Sequence, residues 1–242
     1  MTHSGSIRGR SPRASALVGL FASLALHILP APAAAQVVIT PVAVSGAAAP
    51  AGGNYLNFWV SNGNVVLPPV INASGQVAFH ANLTGGSSTG GIFAGHPGAL
   101  QAAALAGSPA PAGGNFGQFD RSPVLNASGQ LAFWAGLSGG SSTEGIFAGV
   151  PGSVQAVALQ GTAAPAGGTF STFDGGPYLN AGQVAFYASL TGGLSTGGIF
   201  AGPPGSVQAA ALLGSAAPAG GSYSVIGRQP ALNASGQLAF WA

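Results

Sequence analysis

No cysteine and no lysine occur in the 242 residues, and charged side chains of any kind make up only 3% of them. Without cysteine the chain has no disulfide framework, no thiol nucleophile and no thiolate metal site. All five basic residues are arginines, and three of them (Arg8, Arg10 and Arg13) sit at the very start. Past residue 35 the charges are Arg121 and Arg228 against Asp120, Glu144 and Asp174, a formal balance of −1 where the whole chain has +2. No basic patch remains to neutralise phosphates, which excludes nucleic acid as a partner. Long apolar runs are just as scarce. The best, 14–29, is 16 residues long and holds His27, short of the roughly 20 that cross a bilayer.

That run is read as part of a secretory signal. The arginines form a positive start, the apolar stretch follows, and Ala33-Ala34-Ala35 supplies a small-residue cleavage site before Gln36. A signal over 1–35 and a single β-repeat domain over 36–242 are therefore expected, with a secreted or cell-surface address and no membrane span once the signal is removed. Hydrophobic residues make up 47% of the chain, so it lacks the low hydrophobicity and high charge that accompany disorder.

What the chain has in abundance is periodicity. Asn126-Ala-Ser-Gly-Gln-Leu-Ala-Phe-Trp-Ala135 recurs from Asn72, from Asn180 with the serine missing, and from Asn233; Phe79, Phe133, Phe186 and Phe240 are spaced by 54, 53 and 54 residues. A fixed period of this kind marks a repeat architecture. It divides the chain into a partial unit 36–71, full units 72–125, 126–179 and 180–232, and a partial unit 233–242. Asparagine first and glycine fourth fit a type I turn, and the alternation after it is that of a strand with two faces. The shortened Asn180-Ala-Gly182 should form a turn of another type with the strand register kept.

Four strand-like pieces fill each unit. The motif strand (76–83 in the first full unit) leads through a Gly/Ser/Thr loop, 84–90, read as a flexible turn. The second piece is Gly91-Ile-Phe-Ala-Gly95 and its copies. The third is 100–106 with its copies, Ala-rich but too short between breakers for a helix; its counterpart 39–45, β-branched and holding Pro41, suits an edge strand. A Pro-Ala-Gly-Gly turn opens the fourth piece, around Phe116 and Phe119, Phe170 and Phe173, Tyr223 and Ile226. The first unit carries an insertion containing Trp59 and Asn62-Gly63.

Four short antiparallel strands in such a unit have the size of a β-propeller blade, with a β-solenoid as the alternative. The expected fold class is all-β, propeller-like, with Phe133, Phe147, Leu159 and their copies between blades. The ends supply third and fourth pieces at the front and a lone motif strand at the back. No copy of the second piece completes a shared blade, so an incomplete or open array is expected over a closed four-blade ring. Its unpaired strand edges would favour self-association.

The Asn-x-x-Gly-x-Val/Leu-Ala-Phe turn and strand, the Gly-Ile-Phe piece and the Pro-Ala-Gly-Gly turn together resemble the tandem-repeat proteins exported by many bacteria. Across 36–242, that resemblance implies a propeller-like fold, an exported protein and no established activity.

Residues that bear chemistry are few. His80 takes the slot filled by Trp134, Tyr187 and Trp241 in the other units and reads as an aromatic-sized face residue. His96 lies beside Pro97-Gly98 and reads as solvated; two histidines without a close carboxylate make a poor metal site. Asp120 and Asp174 occupy equivalent positions, with Gly227 in the last unit, and read as turn-capping carboxylates. Glu144 aligns with Gly90 and Gly197 and is expected on the solvated surface. Asn72, Asn82, Asn126 and Asn233 begin glycosylation sequons, three of them in the turn whose geometry already calls for asparagine. The residues that could face a ligand are His80, Trp134, Tyr187 and Trp241, able to stack sugars if exposed and simply core if packed between blades. No catalytic, metal or cofactor residue is assigned. The expectation is a non-catalytic exported repeat module, structural or engaging an unidentified extracellular partner; the alternative is a carbohydrate-binding or glycan-acting propeller.

Overall fold

The computed structural model describes residues 39–58, 67–111 and 113–242. The expected signal over 1–35 and the insertion with Trp59 and Asn62-Gly63 lie outside the described residues. From Thr40 to Ala242 the chain forms one body, and its regular elements are all strands. They are β1 (Asn54–Asn57), β2 (Val70–Ile71), β3 (Val77–Thr84), β4 (Gly90–His96), β5 (Ala99–Leu105), β6 (Asn115–Phe116), β7 (Val124–Leu125), β8 (Leu131–Ser138), β9 (Glu144–Val150), β10 (Ser153–Leu159), β11 (Thr169–Asn180), β12 (Gln183–Thr191), β13 (Gly197–Gly202), β14 (Gln208–Leu212), β15 (Ala231–Leu232) and β16 (Leu238–Ala239).

These strands form antiparallel meanders like propeller blades. In the first sheet β1 and β2 both pair with β3, and the order continues β3-β4-β5. In the second, β6 and β7 pair with β8, followed by β9 and β10. The third runs β11-β12-β13-β14, and the fourth is the pair β15-β16. Each sheet takes its first strand from before the asparagine turn, so the sheets are out of phase with the sequence units, which split that strand from its partner. The stretch 39–45 is not a strand. Its equivalents β5, β10 and β14 exist by pairing with a Gly-Ile-Phe strand, and no Gly-Ile-Phe motif stands before it in the sequence. What survives there is the next feature, the Ala48–Asn54 bridge that matches Pro109–Asn115 and Ala163–Thr169.

The organising turn has the expected form. Gly75 N–H donates to the Asn72 carbonyl at 3.0 Å, and Asn72 N–H donates to the Gln76 carbonyl at 3.0 Å. With Gly75 at φ +80°, this is a type I turn closed by a glycine bulge. The Asn72 carboxamide oxygen accepts from the backbone N–H groups of Ser74 (3.1 Å) and Gln76 (3.0 Å). Its amide nitrogen donates to Gln76 Oε1 and, across to the next sheet, to the Asn126 carbonyl, both at 2.9 Å. That sequon asparagine is therefore spent on structure. Dropping the serine leaves Asn180 opposite Gln183 with two loop residues. Ala181 (φ 48°) and Gly182 (φ 76°) then form a type I′ hairpin. The turn type changes and the register survives.

The first glycine of Gly-Ile-Phe-Ala-Gly has a packing reason. Ile92 pairs with Ala104 and Phe93 with Ala102, so Ala103 is bulged out of β5; Val157 and Ala210 are bulged in the same way. The bulge pushes backbone toward the neighbouring strand, and a Cβ on Gly91 would lie 2.6 Å from the Ala104 carbonyl oxygen. The Gly/Ser/Thr loop packs on the Pro-Ala-Gly-Gly turn, where a Cβ on Gly86 would lie 3.0 Å from Gly53 N and one on Gly140 3.1 Å from Gly114 Cα.

Face-to-face packing follows one rule. From the second sheet on, the phenylalanine face of a sheet lies on the alanine/isoleucine face of the sheet before it. Phe116, Phe119, Phe133 and Phe147 pack on Ala78, Ile92, Ala94 and Ala104; Phe170, Phe173, Phe186 and Phe200 pack on Ala132, Trp134, Ile146, Ala148 and Ala158. Phe133 and Phe147, stacked at 5.7 Å, are fully buried, with Leu159 at the edge of the cluster. Rings of this size contribute roughly 1.5–3 kcal/mol each when fully buried.

Candidate functional site

The slot shared by His80, Trp134, Tyr187 and Trp241 lies on the face opposite the phenylalanines, where the next sheet covers it. His80 is 5% exposed, Trp134 6% and Tyr187 5%, while Trp241 is 65% exposed. The first three rings are thus packed between sheets, and Trp241 alone among them is open to solvent. Alternation in the motif strand places all four on one face, and the covering sheet decides what each can touch.

Around these rings the charged residues gather. Glu144, at the start of β9, is half-buried rather than solvated. Its Oε2 accepts from Trp134 Nε1 at 3.0 Å, and its Oε1 accepts from the backbone N–H of Phe173, in the next sheet, at 2.9 Å. Arg121, from the β6–β7 connection, donates Nη1 to the Phe173 carbonyl at 2.7 Å and also to the Gly175 carbonyl. Its guanidinium carbon lies 4.8 Å from the centre of the Trp134 ring. The backbone of one β11 residue, Phe173, is therefore held at both its N–H and its carbonyl by side chains of the second sheet. Burial pulls Arg121 below its ordinary value, and Glu144, Asp174 and Asp120 oppose that shift.

The aspartates do related work. Asp174 pairs with Arg228 at 3.3 Å and accepts from Ser189 Oγ at 3.3 Å, and the Arg228 guanidinium sits 5.4 Å from the Tyr187 ring centre. Asp120 acts electrostatically on both His80 and Arg121. Gly227 stands at the aspartate position in the last repeat, where the Trp241 indole occupies the space a Cβ would take. All five charged residues beyond position 38 thus belong to one seam running across the joints between sheets. His96 ends β4, exposed and remote from it. Among the described residues no group of three or more His, Asp or Glu is placed to hold a metal ion, and no helix is long and apolar enough to cross a membrane.

Chemically, the seam exchanges hydrogen bonds and ion pairs between neighbouring sheets. Sequence reasoning missed Arg121 and Glu144 as its central pair. The signal was present all the same: of the three full units, the one with tryptophan in the slot is also the one with glutamate, at 144, where the others have Gly90 and Gly197.

Beside the seam, Trp241, Tyr187, Ser224, Arg228 and Gln229 line a cleft of about 450 Å³.

A family model described as a family of unknown function, DUF7453, matches residues 32–242. The chain belongs to that family. No curated protein and no solved structure matches it significantly.

Proposed function

We propose that the chain is a non-catalytic, exported repeat module that serves a structural or contact-making role at the cell surface, in the manner of the exported bacterial tandem-repeat proteins its motifs resemble. The observation that carries this reading is where the reactive side chains are spent. Glu144, Arg121, Asp174 and Arg228 are tied to partners across sheet joints, and His80, Trp134 and Tyr187 are buried in them. A catalytic site needs an acid, base or nucleophile facing a reacting atom, whereas these groups face neighbouring sheets. Secretion with N-terminal sequence beginning at Gln36 is expected. Turnover of glycoside, ester or peptide substrates that is abolished by Asp120→Asn or His80→Ala refutes the reading.

The exposed Trp241 favours a second reading. Beside Arg228, Gln229 and Ser224 it offers an aromatic platform with polar groups at its rim, the combination that binds pyranose rings. Titration calorimetry against oligosaccharides, with Trp241→Ala as control, decides between them: tryptophan-dependent binding supports the glycan reading, and its absence removes it.

A further inference from the structure

The joint between the first two sheets differs from the other two in its slot residue. At the other two joints the slot holds the rings of Trp134 and Tyr187; here it holds an imidazole, which ordinarily titrates at about 6.5. It stands on β3 among Ala78, Ile92, Ala94 and Ala104 and faces the ring of Phe119, 6.1 Å away. Its Nδ1 is buried with no hydrogen-bond partner. In the second sheet Glu144 receives the slot residue's N–H, but the equivalent beside His80 is Gly90, with no carboxylate to offer. The charged group acting on it is Asp120, from the β6–β7 connection of the second sheet. Arg121, next along, is directed to the third sheet. β3 and β4 contribute no charged neighbour, and His96 lies exposed at the far end of β4.

We propose that His80 makes the joint between the first and second sheets an acid-sensitive one, which loosens on protonation of the buried imidazole while the joint between the second and third sheets holds. An imidazolium in this apolar layer loses its hydration and has one carboxylate to answer it. Desolvation outweighs the attraction of Asp120 and depresses His80 to about 4. For a base whose folded value lies below its free value of about 6.5, the separated state takes up the proton. The joint is therefore fully stable above the free value and weakens as the pH falls toward about 4. Between pH 7 and pH 5 the opened fraction rises about 20-fold on this linkage.

Hydrogen exchange on the full chain tests this, with amides of β3 and β4 compared against those of β12 and β13 at pH 7 and pH 5 after correction for intrinsic rates. The first-sheet amides should lose about 20-fold in protection and the third-sheet amides far less. His80→Tyr copies the third repeat, where Tyr187 faces Gly197 as His80 faces Gly90, and it should abolish the difference. Equal loss in the variant, or loss shared by both sheets, overturns the proposal. Should that variant not fold, His80→Phe and direct titration of His80 by NMR in the parent chain take its place. An imidazole titrating near its ordinary value refutes the proposal as well.

Discussion

Removing Glu144 should cost more than its half-exposed position implies. Its carboxylate takes the N–H of Phe173 at 2.9 Å and the indole N–H of Trp134 at 3.0 Å, and both donors belong to buried residues. A hydrogen bond to a charged acceptor contributes about 1.5–3 kcal/mol, and a buried donor left unpaired costs about 1–3 kcal/mol. Partial solvation of the carboxylate argues for the lower half of that range, and glycine in a strand adds about 0.5–1 kcal/mol. Glu144→Gly is therefore expected to destabilise by about 3–4 kcal/mol, roughly 6–16 °C in Tm for a chain of this size. Glu144→Gln keeps one good acceptor and should lose about half as much. The discriminating variant is Trp134→Tyr with Glu144→Gly, which installs the third repeat's own pair, Tyr187 and Gly197. It removes the orphaned indole donor, so the double-mutant cycle should show a favourable coupling of at least about 1 kcal/mol. Thermal unfolding followed by circular dichroism gives all four corners. A Glu144→Gly variant within about 0.5 kcal/mol of the parent, or a cycle with no coupling, refutes the clamp.

The repeat supplies other comparisons of the same kind. Ala181 at φ 48° holds a conformation that disfavours a Cβ, so Ala181→Gly should stabilise by about 0.5–1 kcal/mol, measured as a rise in Tm. Gly198→Ala would place its Cβ 2.2 Å from the Ala211 carbonyl oxygen, forcing β13 and β14 apart; a loss of about 2 kcal/mol or more in urea unfolding is expected. Tyr55 buries a hydroxyl without a partner where other repeats have Phe116 and Phe170, so Tyr55→Phe should be neutral or stabilising by about 1 kcal/mol. Asn126→Ala removes a carboxamide that accepts from Ser128 and Gln130 N–H, and should cost about 1–2 kcal/mol, read as a lower Tm.

Period, turn and alternation were legible in the sequence because each is a local rule. Asparagine with a glycine three residues on needs only its own turn, and loss of Ser at 180–182 changes that turn without reference to the rest of the molecule. Strand identity for the Ala-rich third piece followed from its length between breakers. Pairing was less accessible. The stretch 39–45 has a strand's composition and no strand, because an extended segment needs a partner edge, and the partner is a property of the preceding repeat. The slot residues show the same division. Their common face could be read from alternation, but burial of His80, Trp134 and Tyr187 and exposure of Trp241 depend on which sheet lies above each. Glu144 aligned with glycines and looked solvated until the third sheet brought the Phe173 peptide to it. Local backbone geometry is written in neighbouring residues, whereas the charged seam joins side chains to backbone 29 to 54 positions away, and that proximity exists only once the sheets have stacked.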